Sequence, residues 1–406
     1  MTQQELELPK GWVETKLEDI AMIEWGNTSI TKKSYVEKGF LAYSAAGPDG
    51  FLPEAGWDGN GVVLSAIGAQ CGKCFYANDK WTAIKNTIVI QSQEKFVPNK
   101  YLYYYLNDQR RWNISGSGQP FITLKTSKEN SIPLAPLNEQ KRIVSKIEEL
   151  FSKIDSTEQS LEHVKLQLKV YENSFQDRIF KELESKYELK KLEDVCTKIT
   201  DGTHHSPKNT PQAKIPYITA KNIRPRKLDL ANLTYISQED HNEIYARCNP
   251  IRGDILYTKD GVNLGMAVVN ELDFEFSLLS SVALLKPNYE ILNNFYLMTF
   301  LNSPSCFNLV TKKSLGSAIT RIVLRQIKEI SIPVPPLEEQ EQIVSQIEQG
   351  FSLIENTSKI VNSTLQTLET MRMSVLKQAF QGNLVPQDPN DEPASVLLER
   401  IKKQKS

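Results

Sequence analysis

The sequence predicts an α+β protein in which two strand-rich globular units are separated by two long helices that form an antiparallel coiled coil. The first observation is a repeat: Ser131–Gln140 (SIPLAPLNEQ) returns 200 positions later as Ser331–Gln340 (SIPVPPLEEQ), and residues 131–154 share 15 of 24 positions with residues 331–354. The second is a long apolar run at helical spacing after each copy, and the third is a series of short β-type runs before each copy. A repeat that holds register over this length indicates a duplicated structural unit.

The globular units resemble each other at their ends more than in their middles. Each opens with a matching phrase, Leu17–Ile20 in the first and Leu192–Val195 in the second, and each carries an aromatic segment near its end. The opening phrases lie 175 residues apart whereas the helix starts lie 200 apart, so the second unit holds 25 more residues. This pattern is expected if a scaffold is kept while a binding surface varies. The predicted boundaries are 1–136 for the first unit, 137–186 for the first helix, 187–336 for the second unit, 337–382 for the second helix and 383–406 for a C-terminal tail with a short helix.

The two helices are predicted from the spacing of their apolar residues. In the second helix Val344, Ile347 and Phe351 begin a 3,4 pattern that continues to Ala379, which is typical of a coiled-coil seam, and the first helix begins in the same register at Val144. Prolines stand immediately before each start. Because each helix follows its own globular unit, the simplest way for both stripes to become buried is an antiparallel pair. Packing of each helix on its own unit stays open as the alternative.

Composition and charge narrow the class of protein. Apolar residues make up 40% and charged residues 24% of the chain, which contains no apolar run near the length of a membrane span and begins with a polar, acidic segment, so we expect a cytoplasmic protein without membrane association. Five scattered cysteines predict reduced thiols, and Cys71 with Cys74 provides only half of a zinc site. The net charge is −1, yet residues 10–130 hold 14 Lys and Arg against 12 Asp and Glu, and residues 200–330 hold 15 against 12. The globular units therefore carry a mild basic excess.

Motifs of catalysis are absent from the sequence. It contains neither the glycine-rich loop with an Asn/Asp-Pro-Pro-aromatic motif of an adenine methyltransferase nor a phosphate-binding loop, a nucleophile elbow or a His-Glu-x-x-His motif. The pair His204 and His205 is the only local cluster that suggests acid-base or metal chemistry, and in a chain with four His we expect it to be a polar loop that contacts a ligand or solvent. We therefore expect a recognition protein without catalytic or metal-binding residues.

The repeated motif at the head of two long helices, each preceded by a variable domain, closely resembles the specificity (S) subunit of type I restriction-modification systems. The segments Leu8–Trp12, Ile215–Asn222, Gly253–Lys259 and Ala379–Asp388 extend the resemblance over essentially the whole chain. The resemblance implies that the globular units are target recognition domains that each read one half of a bipartite asymmetric DNA target. It also implies that the coiled coil sets the gap between the halves and docks two DNA adenine methyltransferase (M) subunits.

The same resemblance implies how the work is divided among subunits. The chain itself is expected to be non-catalytic and to bind no cofactor, while S-adenosylmethionine, Mg and ATP are expected only on partner subunits. The expected partners are double-stranded DNA, two M subunits and, where the system has them, two restriction/motor (R) subunits. Two other functions stay open: a structural spacer protein whose two domains bind protein partners, and a standalone bifunctional enzyme, which the missing cofactor motifs disfavour.

Candidate reading residues follow from the chemistry of base edges. Sequence readout uses Arg, Lys, Asn and Gln side chains held on loops over a groove, and glycines such as those of Gly116–Pro120 and Gly316–Arg321 let the backbone approach phosphate. The alternative for each residue is a polar loop side chain that faces solvent. The predicted DNA-contacting residues are Lys32, Lys33, Tyr43, Gln70, Lys73, Gln119 and Lys125 in the first unit, and His204, His205, Lys208, Lys221, Asn222, Arg224, Arg226, Lys259, Asn263, Arg321 and Arg325 in the second.

Overall fold

The computed structural model of the chain describes residues 8–405 apart from 206, 208–212, 225, 262 and 313–320, and the side chains of residues 312 and 405 also lie outside the description. Packing divides the protein into two compact units. Unit 1 comprises Met1–Leu161 together with Ser363–Ser406, and unit 2 comprises Glu162–Asn362. Each unit contains strands, short helices and one half of each long helix, so the α+β fold class predicted from the sequence is confirmed.

Unit 1 contains two four-stranded sheets and a two-stranded ribbon. The first sheet has the order β2-β9-β6-β7 and is antiparallel, the second has the order β4-β3-β8-β5 with β3 parallel to β8, and the ribbon pairs β1 with β10. Short 3₁₀ turns lie at Lys32–Ser34 and Gln109–Arg111. The elements up to the first long helix are β1 Val13–Lys16, α1 Leu17–Ile20, β2 Ala21–Trp25, β3 Phe40–Ser44, β4 Gly47–Leu52, β5 Trp57–Asp58, β6 Gly61–Ser65, β7 Cys74–Ala77, β8 Lys80–Ala83, β9 Thr87–Ser92, α2 Asn99–Leu106, α3 Leu124–Lys128, β10 Ser131–Leu134 and α4 Leu137–Lys186.

Unit 2 repeats this plan. Its antiparallel sheet β12-β20-β17-β18 matches β2-β9-β6-β7 strand for strand, and its sheet β16-β13-β19 again has one parallel pair, β13 with β19. A small hairpin, β14-β15, and a 3₁₀ turn at Ala220–Asn222 are added. The remaining elements are β11 Leu189–Lys191, α5 Leu192–Val195, β12 Cys196–Asp201, β13 Ile215–Ile218, β14 Ile223–Arg224, β15 Lys227–Leu228, β16 Thr234–Ile236, α6 Gln238–Arg247, β17 Ile255–Thr258, β18 Ala267–Val269, β19 Ser277–Leu278, β20 Val282–Pro287, α7 Asn294–Leu301, α8 Pro304–Lys312, α9 Leu324–Lys328, β21 Ser331–Pro333, α10 Leu337–Phe380 and α11 Ala394–Lys405.

The repeated motif fastens the head of each long helix to its sheet-bearing domain. In unit 1 the buried Tyr101 of α2 donates its hydroxyl to the carbonyl of Pro133 at 2.7 Å, and in unit 2 the buried Tyr296 of α7 donates to the carbonyl of Pro333 at 2.8 Å. The buried glutamine of each motif copy donates to the carbonyl five residues earlier, at 2.7 and 2.8 Å. Unpaired buried polar groups cost free energy, so these bonds give a physical reason for the sequence repeat.

The apolar seam predicted along the second long helix is buried in the structure. A coiled-coil helix has 3.5 residues per turn relative to its partner, so a residue that faces the partner helix recurs at every seventh position. The buried members with this spacing are Ile347, Ile354, Val361 and Leu368 of α10.

The two long helices run antiparallel within unit 2. Phe175 of α4 lies against Gly350 of α10, and further along, Lys186 pairs with Glu339 at 3.0 Å, so residue numbers rise along one helix as they fall along the other. In unit 1 the α10 residue Arg372 lies beside α4. The antiparallel coiled coil predicted from chain order is confirmed.

The ends of the long helices complete the cores of the units. Ala379 and Phe380 at the end of α10 are buried in the core of unit 1, and the last helix α11 adds Ala394, Leu397 and Ile401 to the same core. The core of unit 2 takes four side chains from the end of α4. These are Phe175, Ile179, Phe180 and Leu183.

Three further findings concern features raised by the composition. Within the described part of the chain no helix is both long and apolar enough to cross a membrane. The five cysteines are unpaired, and burial raises the pKa of the Cys74 and Cys306 thiols. Across residues 8–405, leaving out the undescribed gaps, no group of three or more His, Cys, Asp and Glu side chains is placed to hold a metal ion.

Candidate nucleic-acid interface

The loop that joins β6 to β7 in unit 1 lies against the segment that precedes α3. Ile67 and Phe121 form a single β-bridge, Gly68 donates its N–H to the carbonyl of Pro120 at 2.9 Å, and Ile122 donates to the carbonyl of Ala66 at 2.8 Å. We call residues 66–73 and 114–122 the unit 1 loop cluster. It brings together three exposed side chains that the sequence predicted for DNA contact. They are Gln70, Lys73 and Gln119.

Unit 2 builds the same arrangement from the loop that joins β17 to β18. Asp260 and Arg321 form the equivalent single β-bridge, and Ile322 donates its N–H to the carbonyl of Lys259 at 2.6 Å. The Asn263 amide donates to the carbonyls of Ala220 and Ile223, both at 3.0 Å, which adds a third segment. We call residues 220–228, 259–266 and 321–322, as far as they are described, the unit 2 loop cluster. In it Lys221, Arg224 and Arg321 are exposed.

The short helices that follow each cluster carry an exposed cation at equivalent positions. Lys125 lies in α3, and Arg325 lies in α9 with its Nε 3.9 Å from a carboxylate oxygen of Glu329. Exposed ion pairs of this kind contribute little to stability, so Arg325 remains available for an anion.

Lys32 and Lys33 lie on a different feature, the 3₁₀ turn beside β4. Lys32 forms an ion pair with Asp49, which also accepts hydrogen bonds from Tyr35 at 2.6 Å and Ser44 at 2.7 Å. Burial alone would raise the pKa of Asp49, but the hydrogen bonds from Lys32, Tyr35 and Ser44 outweigh it and hold that pKa below its ordinary value. Lys33 is exposed beside this network.

Three predicted contact residues are buried, and their polar groups are used within the protein. Tyr43 is 3% exposed, packs edge-on to Trp81 and donates to the carbonyl of Tyr76 at 3.1 Å. Asn222 is 5% exposed because its amide holds the turn that precedes β14, where its oxygen accepts from the N–H of Thr219 at 3.0 Å. Polar groups that are satisfied inside the protein cannot reach a base edge without breaking these bonds.

The third buried residue, Lys259, is 2% exposed because it forms an ion pair with the buried Asp201. The Asp201 carboxylate also lies 3.5 Å from Nε2 of His204 and 3.6 Å from Nη1 of Arg247. Arg247 was missed by sequence reasoning, since it lies in α6, which the sequence did not single out as a reading element. Its guanidinium additionally donates to the carbonyl of Asp201 at 3.1 Å. One carboxylate therefore faces three basic side chains at this end of β12.

The remaining predicted residues divide between exposed and inward-facing positions. His204 and His205 are exposed, whereas Lys208 lies outside the described residues, as do positions 316–320 of the second glycine-bearing stretch. Arg226 is half-buried, with its guanidinium carbon 3.9 Å from the ring centroid of Phe351 in α10. Arg226 faces Phe351, and both donors of the Asn263 amide are used within the loop cluster, so DNA contact by either residue stays a prediction that requires these interactions to break.

Exposed apolar side chains were also missed. Ile114 and Phe121 are each 39% exposed within the unit 1 loop cluster. Apolar groups contact the thymine methyl group in the major groove. Ile114 and Phe121 therefore suit a DNA-binding surface as well as polar side chains do. The available signal was the 200-residue offset, which aligns Phe121 with Arg321.

The chain contains two copies of one α+β fold, and each copy presents a loop cluster and continues through the same motif into a long helix. This arrangement defines a bipartite recognition protein. Residues 9–166 and 184–366 match the family described as "Type I restriction modification DNA specificity domain". The chain belongs to this family.

Relatives of known name and structure cover nearly the whole chain. The protein is 25% identical over 417 residues to the type I restriction enzyme EcoBI specificity subunit of Escherichia coli, an alignment that covers 94% of this chain and 84% of the relative. The crystal structure of the HsdS subunit from Thermoanaerobacter tengcongensis has the same fold, with a TM-score of 0.64 and 19% identity over 95% of this chain and 100% of that one. A chain solved in work on complex assembly and conformational transition of the type I R-M system gives a TM-score of 0.66 and 19% identity, covering 93% and 100%.

Proposed function

We propose that this chain is the DNA sequence-recognition subunit of a type I restriction-modification complex, in which each unit reads one half of a split target. The observation that carries the proposal is the duplicated loop cluster. Both units hold a loop and the segment before a short helix together through one β-bridge, Ile67 with Phe121 and Asp260 with Arg321. The scaffold is the same while the exposed side chains differ, so the two half-sites should differ in sequence.

The exposed side chains suit two kinds of contact with DNA. Lys73, Lys125 and Arg325 are exposed cations that can neutralise phosphates and fix the register of the duplex. Arg321 has the geometry for a bidentate contact with guanine, and Gln119 has the geometry for one with adenine. The first set should govern affinity for any DNA, and the second should govern which base is accepted.

We also propose which partners the chain binds and which subunits carry the chemistry. The chain acts without catalytic residues of its own, two M subunits dock on the long helices and bring S-adenosylmethionine, and R subunits bring Mg and ATP where the system has them. Because α4 and α10 each carry the chain from one unit to the other, their length sets the gap between half-sites. The names of the relatives, which are specificity subunits of type I restriction enzymes, support this assignment.

The test is methylation by the purified chain together with the M subunits from the same source, using a library of DNA sequences. We expect adenine methylation of both halves of one split site from the complex and none from the chain alone. Gln119→Ala should alter one half-site and Arg321→Ala the other, whereas Lys402→Ala in α11 should alter neither. If Arg321 makes a bidentate bond to guanine, its removal should cost about 1–3 kcal/mol at one base position.

Two results would contradict the proposed function. Methylation of DNA by the isolated chain would show a catalytic site within it. Stable assembly with protein partners that neither binds nor methylates DNA in a sequence-dependent way would instead favour a structural spacer whose domains bind proteins.

A further inference from the structure

Two phenylalanines occupy the same place in the two copies of the repeat. Phe151 of α4 and Phe351 of α10 are separated by 200 residues, and each is half-buried in the fourth or fifth turn of its helix. An aromatic face in this position attracts a cation because the ring carries partial negative charge on its faces. In each unit an arginine takes that place, but the two arginines come from different parts of the chain.

In unit 1 the cation belongs to the other long helix. The guanidinium carbon of Arg372 in α10 lies 5.3 Å from the ring centroid of Phe151, and the same guanidinium binds Asp155 and Glu158, the latter at 2.9 Å. Tyr104 of α2 packs edge-on to the ring at 5.8 Å. The arginine here joins helix to helix.

The repeat does not supply the same cation in unit 2. The residue 200 positions before Arg372 is Glu172, an anion. The cation over Phe351 is instead Arg226, which lies in the turn between β14 and β15 with a φ of 59° and approaches the ring centroid to 3.9 Å. Burial lowers the pKa of Arg226, while Glu348 and Glu172 on the two long helices oppose that effect. The negative charge of Glu172 therefore favours a cation at this place, and Arg226 in the turn between β14 and β15 supplies it.

We propose that Arg226 is a positioning residue that seats the β14-β15 hairpin of unit 2 on α10 and so aims the exposed side chains of that hairpin at DNA. Arg224 lies on β14 and donates to the carbonyl of Lys221 at 2.7 Å, so both exposed cations move with the hairpin. The hairpin is also tied to the loop cluster, because Asn263 donates to the carbonyl of Ile223. Arg226 acts through Lys221 and Arg224, and makes no contact of its own with DNA.

This inference rests on the proposed function, and it predicts a selective effect. In the complex with M subunits, Arg226→Ala should reduce discrimination against wrong bases in one half-site about 3- to 30-fold, the range expected for removal of a partly desolvated cation–π interaction. The other half-site should be read as before. The slope of affinity against salt concentration should stay unchanged, because the variant keeps every phosphate contact.

Phe351→Ala provides a second variant, because it removes the other partner of the Arg226 contact. We expect the same half-site to relax, and we expect the double variant Arg226→Ala/Phe351→Ala to be no worse than either single one, since both remove one interaction. Arg226→Met keeps the alkyl packing without the charge and should fold even if the alanine variant does not, with the same relaxed half-site. Arg372→Ala removes the equivalent cation of unit 1 and should leave this half-site unchanged.

The controls separate three outcomes. A salt slope reduced by about one in Arg226→Ala, with Phe351→Ala silent, would show that Arg226 contacts phosphate directly and would overturn the inference. Unchanged reading of both half-sites in Arg226→Met and Phe351→Ala would also overturn it. Absence of split-site methylation by the unaltered complex would count against the proposed function itself.

Discussion

Leucine in place of Gly350 tests how the two long helices pack in unit 2. A Cβ at Gly350 would lie 2.3 Å from Cε1 and 2.8 Å from Cζ of Phe175, both well inside van der Waals contact. The ring has little freedom to retreat, because Phe175 is 8% exposed and stacks on Tyr171 with 5.5 Å between ring centroids. The small residue in α10 and the large one in α4 are therefore a matched pair.

The cost follows from two opposing terms. Overpacking a closely packed site costs about 1–3 kcal/mol, and replacing a mid-helix glycine gains about 1 kcal/mol in helix propensity. A leucine fills more space than the Cβ alone, so we expect an overpacking cost in the upper part of this range and a net decrease of about 1–2 kcal/mol in the free energy of unfolding. Phe175→Val should cost about 2–4 kcal/mol by leaving a cavity.

The equivalent positions of unit 1 suggest the compensating variant. They hold Leu150 and Val375, so Gly350→Leu/Phe175→Val copies that pair into unit 2. The double variant should be more stable than the sum of the single changes predicts, with a coupling of about 1–3 kcal/mol. Urea unfolding followed by circular dichroism measures all three variants, and Gln349→Leu, an exposed neighbour, is the control that should change stability by less than about 0.5 kcal/mol. Strict additivity of the two single changes would refute the reasoning.

Three further predictions concern burial. Lys259→Ala should lower the stability of the protein by about 3–5 kcal/mol in chemical denaturation, because it removes the buried cation that pairs with the buried Asp201. Arg321→Ala should leave stability nearly unchanged, and equal effects of the two changes would argue against the buried pair. Burial raises the pKa of Glu139, so its ionised form opposes folding at neutral pH, and Glu139→Gln should raise the melting temperature at pH 7. The gain should fade as the pH falls through the raised pKa and be gone below the ordinary Glu pKa, whereas Glu339→Gln should give no such gain, because hydrogen bonds from Tyr187 and Lys186 lower the pKa of Glu339. Leu397→Ala should lower the free energy of unfolding by about 2–5 kcal/mol, because α11 buries this side chain in the core of unit 1. Val396→Ala changes an exposed neighbour and is the control, so similar melting temperatures for the two variants would contradict the packing of α11.

The architecture could be predicted because it depends on periodic signals. The 3,4 spacing that starts at Val344 requires a long helix with one buried face, and the repeated motif requires the same connection twice. The antiparallel direction followed from the order of the segments along the chain. Periodicity does not name the partner of each helix end, so the entry of Phe380 into the core of unit 1 and of Phe180 into the core of unit 2 could not be foreseen.

The candidate site was harder because exposure depends on distant residues. Lys259 has the composition of a reading residue, and only the fold brings Asp201, 58 positions away in sequence, close enough to bury it. Arg226 belongs to a strongly basic segment of the chain, yet its guanidinium lies against the ring of Phe351, which is far away in sequence. Residue type indicated which side chains can read DNA, whereas tertiary packing decides which of them face it.

The division of the chain into Met1–Leu161 with Ser363–Ser406 and Glu162–Asn362 has a consequence for synthesis on the ribosome. Unit 2 is continuous in sequence and can close its core as soon as it has been made. Unit 1 begins before unit 2 and is completed after it, because Phe380, Leu397 and Ile401 are made only after the whole of unit 2. At ordinary elongation rates the intervening segment takes roughly 10 to 40 s to make, and during that time the N-terminal domain exposes the apolar surface that those residues later cover.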